Sequence, residues 1–424
     1  MGAADAIVVG GGAIGVSCAL ELARAGARVT LLESGAELGE GCSAGNAGLI
    51  CPSHAAPLAT RAALREGLRR LLSPHAPLKL RPRPSLVPWL ARFVAACTPE
   101  RERAATDAVR ALCVASLELH GRLAEEAGTG VERRGTLNVY EAETAFAEGQ
   151  RDAAEHGASG LRVQTLDSRA AVELEPAIVA PVAGAIHYPD ELSGDPLEFV
   201  RAVGRAAEAA GADLRTRTEV LGLRAERHRI VEVDTTAGPL GAETVVLAAG
   251  AWTPRLAAGL ELAIPVEAGK GYHVDYEPAA ADPRMPVFLH EARVVATPLE
   301  GRLRLSGTLE FTGLDLSVDR RRVEAIERAG RRRLRGLAGR RVVELWRGLR
   351  PCAPDGLPIV GSPARYENLV LATGHAMLGF TLAPLTGRIV ASLVAGEPAG
   401  HDLTLLHPDR FRGLGAVANR VRSI

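Results

Sequence analysis

Three glycines near the start of the chain are spaced so that they could hold phosphate groups. Gly10, Gly12 and Gly15 form the pattern Gly-x-Gly-x-x-Gly, directly after a short apolar run at residues 6–9. The first glycine of such a pattern permits a tight turn, and the second lets a pyrophosphate approach the backbone. The third lets the following helix pack closely on the strand, and the phosphates lie at the positive end of that helix.

An acidic residue follows where this use of the glycines requires one. Residues 13–25 are predicted to form a helix and residues 28–32 a second strand, and Glu33 comes directly after that strand. A carboxylate at this point can accept hydrogen bonds from ribose hydroxyls. The pattern therefore predicts a dinucleotide site and leaves NAD and FAD open. No second Gly-x-Gly-x-x-Gly follows, which argues against a reductase with separate sites for two dinucleotides.

Composition excludes several classes of protein. A chain of 424 residues predicts two domains, and 50 basic against 50 acidic residues leave no net charge to attract nucleic acid. The 6 cysteines form no Cys-x-x-Cys pair and no Cys/His cluster with the spacing of metal ligands. We expect free thiols in a reducing compartment and no metal site. No apolar stretch reaches the roughly 18 residues that a membrane span needs.

The remaining elements must position these residues. The apolar periodicity predicts helices at residues 102–127, 197–210 and 320–337, and strands at residues 135–143 and 244–249. A second strand–loop–helix unit is predicted from residue 369 to residue 393, so that another helix start could face the ligand. The basic, proline-containing segment at residues 60–95 is interpreted as a packed helix pair, with a membrane-touching surface as the alternative.

Five sequence blocks resemble the D-amino acid oxidase/glycine oxidase superfamily of FAD-dependent oxidoreductases, and above all its D-amino acid dehydrogenase branch. They are the glycine pattern, SAGNAGLICPSHAAP, PVEAGKGY, GLRPCAPDGLPIVG and TGHAMLGFTLAP. The resemblance implies an α/β fold: a Rossmann-like FAD-binding domain of the glutathione reductase type and a second α+β substrate domain on a mainly antiparallel sheet. It places the FAD-binding domain at residues 1–55, 145–260 and 345–424, and the substrate domain at residues 56–144 and 261–344.

The same resemblance implies which residues hold a non-covalent FAD. Loop Gly374–Thr381 would offer backbone N–H groups at a helix start to the negatively charged reduced flavin. Cys352 is offset from the position that links the flavin covalently in sarcosine oxidases. The full implied set is Gly10, Gly12, Ala13, Ile14, Gly15, Glu33, Ser34, Ser43, Ala44, Asn46, Ala47, Val220, Gly250, Gly374, His375, Leu378, Gly379, Phe380 and Thr381.

Three residues are implied at the substrate. Arg350 matches the arginine that holds the substrate carboxylate, and a guanidinium can do so through two parallel hydrogen bonds. Tyr272 would orient the substrate, with packing inside a strand as the equal alternative. His54 lies in the loop where relatives place a lid tyrosine, so it is expected either at the rim of the pocket or in solvent.

The implied reaction is oxidation of a D-amino acid, or of a cyclic or secondary amino acid, by hydride transfer to flavin N5. Neither lysine, Lys79 nor Lys270, falls in the block that assists oxygen reduction in sarcosine-type oxidases, which favours a quinone-type acceptor. The alternatives are a glycine/sarcosine-type oxidase, a hydroxy-D-proline dehydrogenase and a non-catalytic flavin-bearing subunit of an electron-transfer complex. We expect a cytoplasmic protein, with peripheral contact at the inner face of the membrane as a second option. The oligomeric state is not defined by the sequence.

Overall fold

The computed structural model describes residues 5–70 and 78–412. In chain order, the strands are β1 (Asp5–Val9), β2 (Arg28–Leu32), β3 (Leu49–Ile50), β4 (Leu78–Leu80), β5 (Thr136–Tyr140), β6 (Gln164–Asp167), β7 (Gly184–Tyr188), β8 (Leu192–Ser193), β9 (Asp213–Arg215), β10 (Val220–Glu226), β11 (Arg229–Thr235), β12 (Thr244–Leu247), β13 (Glu267–Tyr276), β14 (Val287–Leu289), β15 (Val294–Leu299), β16 (Arg302–Phe311), β17 (Val342–Cys352), β18 (Ile359–Gly361) and β19 (Leu369–Thr373). The α-helices are α1 (Ala13–Arg24), α2 (Arg61–Arg70), α3 (Val87–Ala96), α4 (Pro99–Ala127), α5 (Glu143–Ala158), α6 (Ser168–Leu174), α7 (Pro196–Ala209), α8 (Thr253–Ala258), α9 (Arg320–Arg333) and α10 (Gly379–Ala395).

The glycine pattern lies at the centre of a six-stranded sheet with the order β18-β19-β12-β1-β2-β9. Strands β19, β12, β1, β2 and β9 run parallel, and β18 is antiparallel to β19. Helices α1, α7, α10 and α4 share one apolar core with one face of this sheet. The hairpin β10–β11 and α8 cover the other face. The predicted first strand–helix–strand unit is therefore confirmed.

Close packing explains two of the three glycines in the pattern. Gly10 has a φ of +108°, a conformation that residues with a side chain rarely adopt. A Cβ on Gly15 would lie 1.8 Å from the carbonyl oxygen of Gly10. Helix α1 therefore begins in direct contact with the turn that follows β1, as the third glycine predicts.

The larger, nine-stranded sheet has the order β17-β13-β16-β15-β14-β5-β7-β6, with β4 paired to β16 outside this path. Most neighbours are antiparallel, and β5–β14 and β4–β16 are parallel. Helices α6 and α9 share an apolar core with one face. The predicted fold class, with a mainly antiparallel second sheet, is confirmed.

The sheets divide the chain differently from the predicted boundaries. Strands β6 and β7 pair with β5 in the larger sheet, although residues 145–260 were predicted to belong to the FAD-binding domain. Strand β17 also belongs to the larger sheet. It runs from residue 342 to residue 352 and so crosses the predicted boundary at residue 345. Both differences arise from pairing between distant segments, which local periodicity does not contain.

Helix α9 ends four residues earlier than predicted, at Arg333 instead of Leu337. Leu334 is extended and forms an isolated bridge with Ile178, where it is buried. The tertiary contact therefore ends the helix, although the sequence would continue it. Among the described residues, none of the helices combines the length and the apolar character that crossing a bilayer requires.

Glu191 links the short helical turn Pro52–His54 to the larger sheet. Its Oε1 accepts a hydrogen bond of 2.8 Å from the Ser53 N–H, and its Oε2 accepts one from the Thr136 hydroxyl. Burial raises the pKa of Glu191 to about 7. The carboxyl therefore holds its proton in the folded protein at pH values where an unfolded chain has lost it.

Glu191→Gln is expected to remove a pH dependence of stability. Because the folded-state pKa lies above the unfolded value, the stabilisation is complete below about pH 4 and is lost as the pH rises to 7. The wild type should therefore lose about 2–3 kcal/mol more than the variant between pH 5 and pH 8. Denaturant unfolding of both proteins at the two pH values measures this difference, and equal losses would contradict it.

Candidate active site

The carboxylate of Glu33 organises the turn that the glycines form. Its Oε2 accepts a hydrogen bond of 2.7 Å from the Gly11 N–H, and its Oε1 accepts one of 2.7 Å from the Gly35 N–H. Glu33 thus stands fixed at the carboxyl end of β2, beside the start of α1. Predicted and observed positions agree. Oε1 also accepts a hydrogen bond of 3.1 Å from the Ser34 hydroxyl, so Oε2 is the oxygen that keeps a lone pair for a ligand.

A cavity of about 400 Å³ extends from this turn to strand β17. Its near end lies between α1 and Thr218–Val220, and its far end lies between α10 and Arg350. Most of the predicted residues line it: Gly10, Gly12, Ala13, Ile14, Glu33, Ser34, Ser43, Asn46, Val220, Gly250, His375, Gly379, Phe380 and Arg350. The structure therefore brings the two predicted strand–helix units together around one elongated space.

The other predicted cofactor residues lie behind the cavity wall. Gly15 packs α1 on the turn, and Gly374 has a φ of +76° at the end of β19. The Thr381 hydroxyl donates to the carbonyl of Leu49 over 3.1 Å, and the Leu378 N–H donates to the carbonyl of His375. Ala44 and Ala47 turn their carbonyls away toward the larger sheet. These residues shape the wall, and none of them contributes a side chain to the cavity lining.

The cavity suits the expected FAD in shape and in hydrogen-bonding groups. Helices α1 and α10 both begin at it, and neither N-cap residue, Gly12 or Leu378, caps its helix with a side chain. The Ser43 hydroxyl accepts a hydrogen bond of 3.0 Å from the Ala13 N–H, and further N–H groups of the first turn of α1 remain for a ligand. The first N–H groups of a helix carry partial positive charge, which suits a pyrophosphate at one end and a reduced flavin at the other. His375 is buried in the wall, and its Nδ1 has no hydrogen-bond partner among the described residues.

Arg350 is a partly buried cation at the far end of the cavity. Its Nη1 donates a hydrogen bond of 3.0 Å to the Thr308 carbonyl. Within the described ranges, no carboxylate forms an ion pair with it, and the thiols of Cys42 and Cys352 are the titratable groups that influence its pKa. Burial lowers the pKa of Arg350, and a buried cation without a counter-charge is costly. The site therefore favours an anionic ligand.

Gly271 makes room for this guanidinium. A Cβ on Gly271 would lie 2.0 Å from Nη1 of Arg350, on the strand next to β17. The second glycine of the block PVEAGKGY thus lies beneath the predicted carboxylate-binding side chain.

Tyr272 lies on the opposite face of β13, because successive strand residues point to opposite sides. Its hydroxyl donates to Glu310 Oε2 over 3.2 Å and accepts from the Asp319 N–H, and burial raises its pKa to about 12. Lys270 lies on the same face, with its Nζ 2.8 Å from the Ser317 carbonyl. The structure therefore does not bring Tyr272 to the cavity, and its contacts fit the packing alternative.

His54 is also outside the cavity lining. Its Nε2 lies 3.2 Å from Asn138 Oδ1, and its ring is 5.0 Å from that of Phe288. Burial lowers the pKa of His54 to about 4, so the ring is neutral near pH 7. Neither the predicted rim position nor the solvent alternative describes this packed environment, since the ring contacts strands β5 and β14.

The sequence interpretation missed Trp346. This side chain lines the cavity, stacks on His273 at 5.2 Å between ring centroids, and lies against Gly45 and Gly348. Trp346, Gly348 and Arg350 alternate along β17, so that all three point to one face. Counting back in steps of two from Arg350 would have found them. Cys42, Thr218, Trp252 and Arg255 are further lining residues that no motif indicated.

Comparison with curated proteins finds relatives over almost the entire chain. D-amino acid dehydrogenase from Paramagnetospirillum magneticum is 35% identical over 416 residues, which cover 96% of this chain and 98% of the relative. D-amino acid dehydrogenase from Methylobacterium nodulans is 34% identical over 411 residues, covering 94% of this chain and 97% of the relative. Both exceed the similarity that chance or a shared motif alone would produce.

Solved structures show the same architecture. Glycine oxidase from Geobacillus kaustophilus superposes with a TM-score of 0.80 at 27% identity, covering 97% of this chain and 100% of that one. L-proline dehydrogenase from P. horikoshii has the same fold, with a TM-score of 0.76 at 22% identity, covering 96% and 98%. The family model described as "FAD dependent oxidoreductase" matches residues 5–393. The chain therefore belongs to the FAD-dependent oxidoreductase (DAO) family.

Proposed function

We propose that this protein oxidises D-amino acids, or cyclic or secondary amino acids, to imino acids, which water then hydrolyses to 2-oxo acids. The observation that carries the proposal is Arg350, a partly buried cation without a carboxylate partner in the described structure, which lines the cavity proposed to hold FAD. A guanidinium there can bind an amino acid carboxylate through two hydrogen bonds and fix the α-carbon. When bound, FAD supplies the acceptor for the hydride of that carbon.

The described side chains next to Arg350 offer no strong base at neutral pH. Burial lowers the pKa of His375 to about 3, and it raises the pKa of the Cys42 thiol. Burial also raises the pKa of Cys352 to about 12. The two thiols are therefore neutral near pH 7 and His375 is a very weak base, so we expect the ammonium proton of the substrate to leave to solvent before the hydride does. Arg350 positions the substrate, and the neutral wall excludes competing acid–base chemistry.

We therefore expect kcat/KM to rise with pH through the pKa of the substrate's own ammonium group. Each unit below that pKa should lower kcat/KM about tenfold, because only the free amine reacts. Profiles for two substrates whose ammonium pKa values differ should be displaced by that difference. A pKa that stays the same for both substrates would instead reveal a base on the enzyme.

The names of the relatives favour a D-amino acid as the substrate, since proteins about one third identical over the full chain are D-amino acid dehydrogenases. Glycine oxidation is the second candidate, because the Geobacillus glycine oxidase shares the fold at 27% identity. A dye-linked assay with D-amino acids, their L-enantiomers, glycine, sarcosine and hydroxy-D-proline tests the choice. Turnover of glycine and sarcosine alone would reject the D-amino acid proposal, and turnover of none of them would favour a non-catalytic flavin subunit.

We also propose a quinone-type electron acceptor in place of oxygen. Lys270 binds Ser317 on the face away from the cavity, and Lys79 Nζ is 2.8 Å from Asp319 Oδ2, so neither lysine is free to assist oxygen reduction at the flavin. An anaerobically reduced enzyme should reoxidise slowly in air and rapidly with a soluble quinone. Rapid reoxidation in air would contradict this.

We propose a cytoplasmic protein that contacts the inner face of the membrane peripherally, and helix α3 supports this contact. Val87 and Val94 are 62% and 51% exposed on its outer side. Exposed arginines flank it, among them Arg81 and Arg101, and could face anionic lipid. Cosedimentation with anionic vesicles, compared with neutral ones, tests the contact. The double variant Val87→Ser/Val94→Ser, which removes the exposed apolar side chains, is compared with the wild type in the same assay.

We propose that the FAD is held without a covalent bond. Cys352 donates its Sγ hydrogen toward the Arg350 carbonyl over 3.6 Å and is fully buried outside the lining of the cavity. Acid precipitation should therefore release the yellow cofactor into the supernatant. A yellow pellet would show a covalent bond, with Cys42 in the lining as the first residue to examine.

A further inference from the structure

The cavity loop at residues 43–47 is held from behind by two side chains of the larger sheet. Arg304 Nη1 donates to the carbonyls of Ala44 and Asn46 over 2.6 and 3.0 Å. The Thr297 hydroxyl donates to the carbonyl of Ala47 over 2.6 Å. Three backbone carbonyls of one short loop are thus turned toward β15 and β16.

Arg304 is itself fixed by a buried ion pair. Its Nε and Nη2 donate to the two carboxylate oxygens of Asp275, each over 2.9 Å, and both side chains are at most 2% exposed. Arg302 Nε lies 2.9 Å from the same carboxylate and also binds Asp195, which caps α7. Because the Nε and Nη2 edge of the planar guanidinium is held by Asp275, the N–H groups of Nη1 point toward the loop.

A metal site is the competing interpretation of these acidic residues. Ligand atoms of His273, Asp275 and Glu344 lie within 4.8 Å of one another. Asp275, however, already accepts hydrogen bonds from two guanidinium groups. Two cations at that carboxylate would repel a divalent ion, and they leave the ligand set incomplete. We therefore interpret Asp275 as the residue that fixes the guanidinium of Arg304, and not as a metal ligand.

Peptide geometry gives the direction of the loop's N–H groups. In a trans peptide, the carbonyl of one residue and the N–H of the next point in opposite directions. The carbonyls of Ala44 and Asn46 point at Arg304, so the N–H groups of Gly45 and Ala47 point away from it. Gly45 and Asn46 line the cavity on that opposite side.

We propose that Arg304, with Thr297, is a positioning element that aims the N–H groups of Gly45 and Ala47 at the bound flavin. Arg304 touches neither substrate nor cofactor and acts through the backbone of residues 43–47. Without it, the loop loses its fixed orientation, and the flavin loses two pre-aligned donors. The inference requires only that FAD occupies the cavity, and it does not depend on which amine is oxidised.

Arg304→Met is the direct test, with the dissociation constant of FAD and the flavin reduction potential as readouts. We expect the constant for apoprotein to rise about tenfold or more, because charge-assisted hydrogen bonds to the loop are lost. The potential should become more negative, since the donors stabilise the reduced, negatively charged flavin. Both readouts are independent of amino acid turnover, so a wrong substrate would leave them unaffected.

Arg340→Met is the matched control. Arg340 also forms a two-point ion pair with a carboxylate, Asp282, and its side chain is 6% exposed. It lies before β17 and makes no hydrogen bond to residues 43–47 in the described structure. The variant should lose thermal stability to a similar degree and keep the FAD affinity and potential of the wild type. Equal changes in both variants would reduce Arg304 to a structural role and overturn the proposal.

Thr297→Val keeps the test decisive if Arg304→Met does not fold. The change is nearly isosteric, removes no charge, and deletes only the hydroxyl that binds the Ala47 carbonyl. We expect a smaller rise in the FAD dissociation constant, about threefold to tenfold, with a shift of the flavin absorption bands. Wild-type affinity, potential and spectrum in a folded Thr297→Val protein would contradict the proposal.

Discussion

Arg350→Met is expected to lower kcat/KM for an amino acid substrate by about 10²- to 10³-fold, because a charge-assisted pair in a buried site is lost. The flavin spectrum and the FAD content should stay unchanged, since the side chain lies at the end of the cavity. Arg350→Lys should recover only part of the loss, because an ammonium group cannot form two parallel hydrogen bonds with a carboxylate.

Arg350→Met should also leave the stability of the substrate-free enzyme equal or higher. The native guanidinium is partly buried and has no carboxylate partner in the described structure, so its removal ends a desolvation cost. Arg347→Met is the matched control, because Arg347 lies on the same strand with its Nε 3.0 Å from the Leu316 carbonyl on the opposite face. Similar losses of kcat/KM in both variants would refute the assigned role of Arg350.

Gly15→Ala should unfold at a lower denaturant concentration and be purified largely without FAD. The added Cβ would lie 1.8 Å from the Gly10 carbonyl oxygen, and both groups belong to backbone that cannot move aside. The start of α1 must then separate from the turn, at a cost on the order of 2–4 kcal/mol. The helix start that faces the FAD pyrophosphate is displaced by the same movement.

Gly121→Ala is the matched control, since it makes the same change inside helix α4. No heavy atom lies within 4 Å of the added Cβ there, so the better helix propensity of alanine should raise stability by about 0.5–1 kcal/mol. The unfolding midpoints of the two variants therefore move in opposite directions, and only Gly15→Ala loses FAD absorbance. Normal stability and full FAD content in Gly15→Ala would contradict the close packing of α1.

The parts of the fold that local pattern determines were predictable. Gly10, Gly12, Gly15 and Glu33 act within one strand–helix–strand unit, so their roles follow from spacing. The pairing of β6 and β7 with β5 joins segments through the sheet, and no periodicity in residues 145–188 distinguishes it from pairing elsewhere.

The candidate site was predictable where a motif fixed both the residue and its side of a strand. Arg350 was found by its block, and Trp346 shares its face of β17 but lay outside the quoted motif. Tyr272 follows Gly271 in sequence, and strand alternation places Gly271 against Arg350 and Tyr272 on the opposite face of the sheet. The ion pair of Arg304 and Asp275 behind the loop could not be predicted, because it depends on strands β13 and β16 meeting the loop at residues 43–47.

Anaerobic reduction of the FAD by a D-amino acid and by the amine that lacks its carboxylate tests the central claim most directly. The wild type should lose its flavin bands rapidly with the D-amino acid and far more slowly with the amine, because only the first can bind Arg350. Arg350→Met should react slowly with both and lose the preference. Equal bleaching of the wild type by both compounds, or an undiminished preference in the variant, would contradict carboxylate recognition by Arg350.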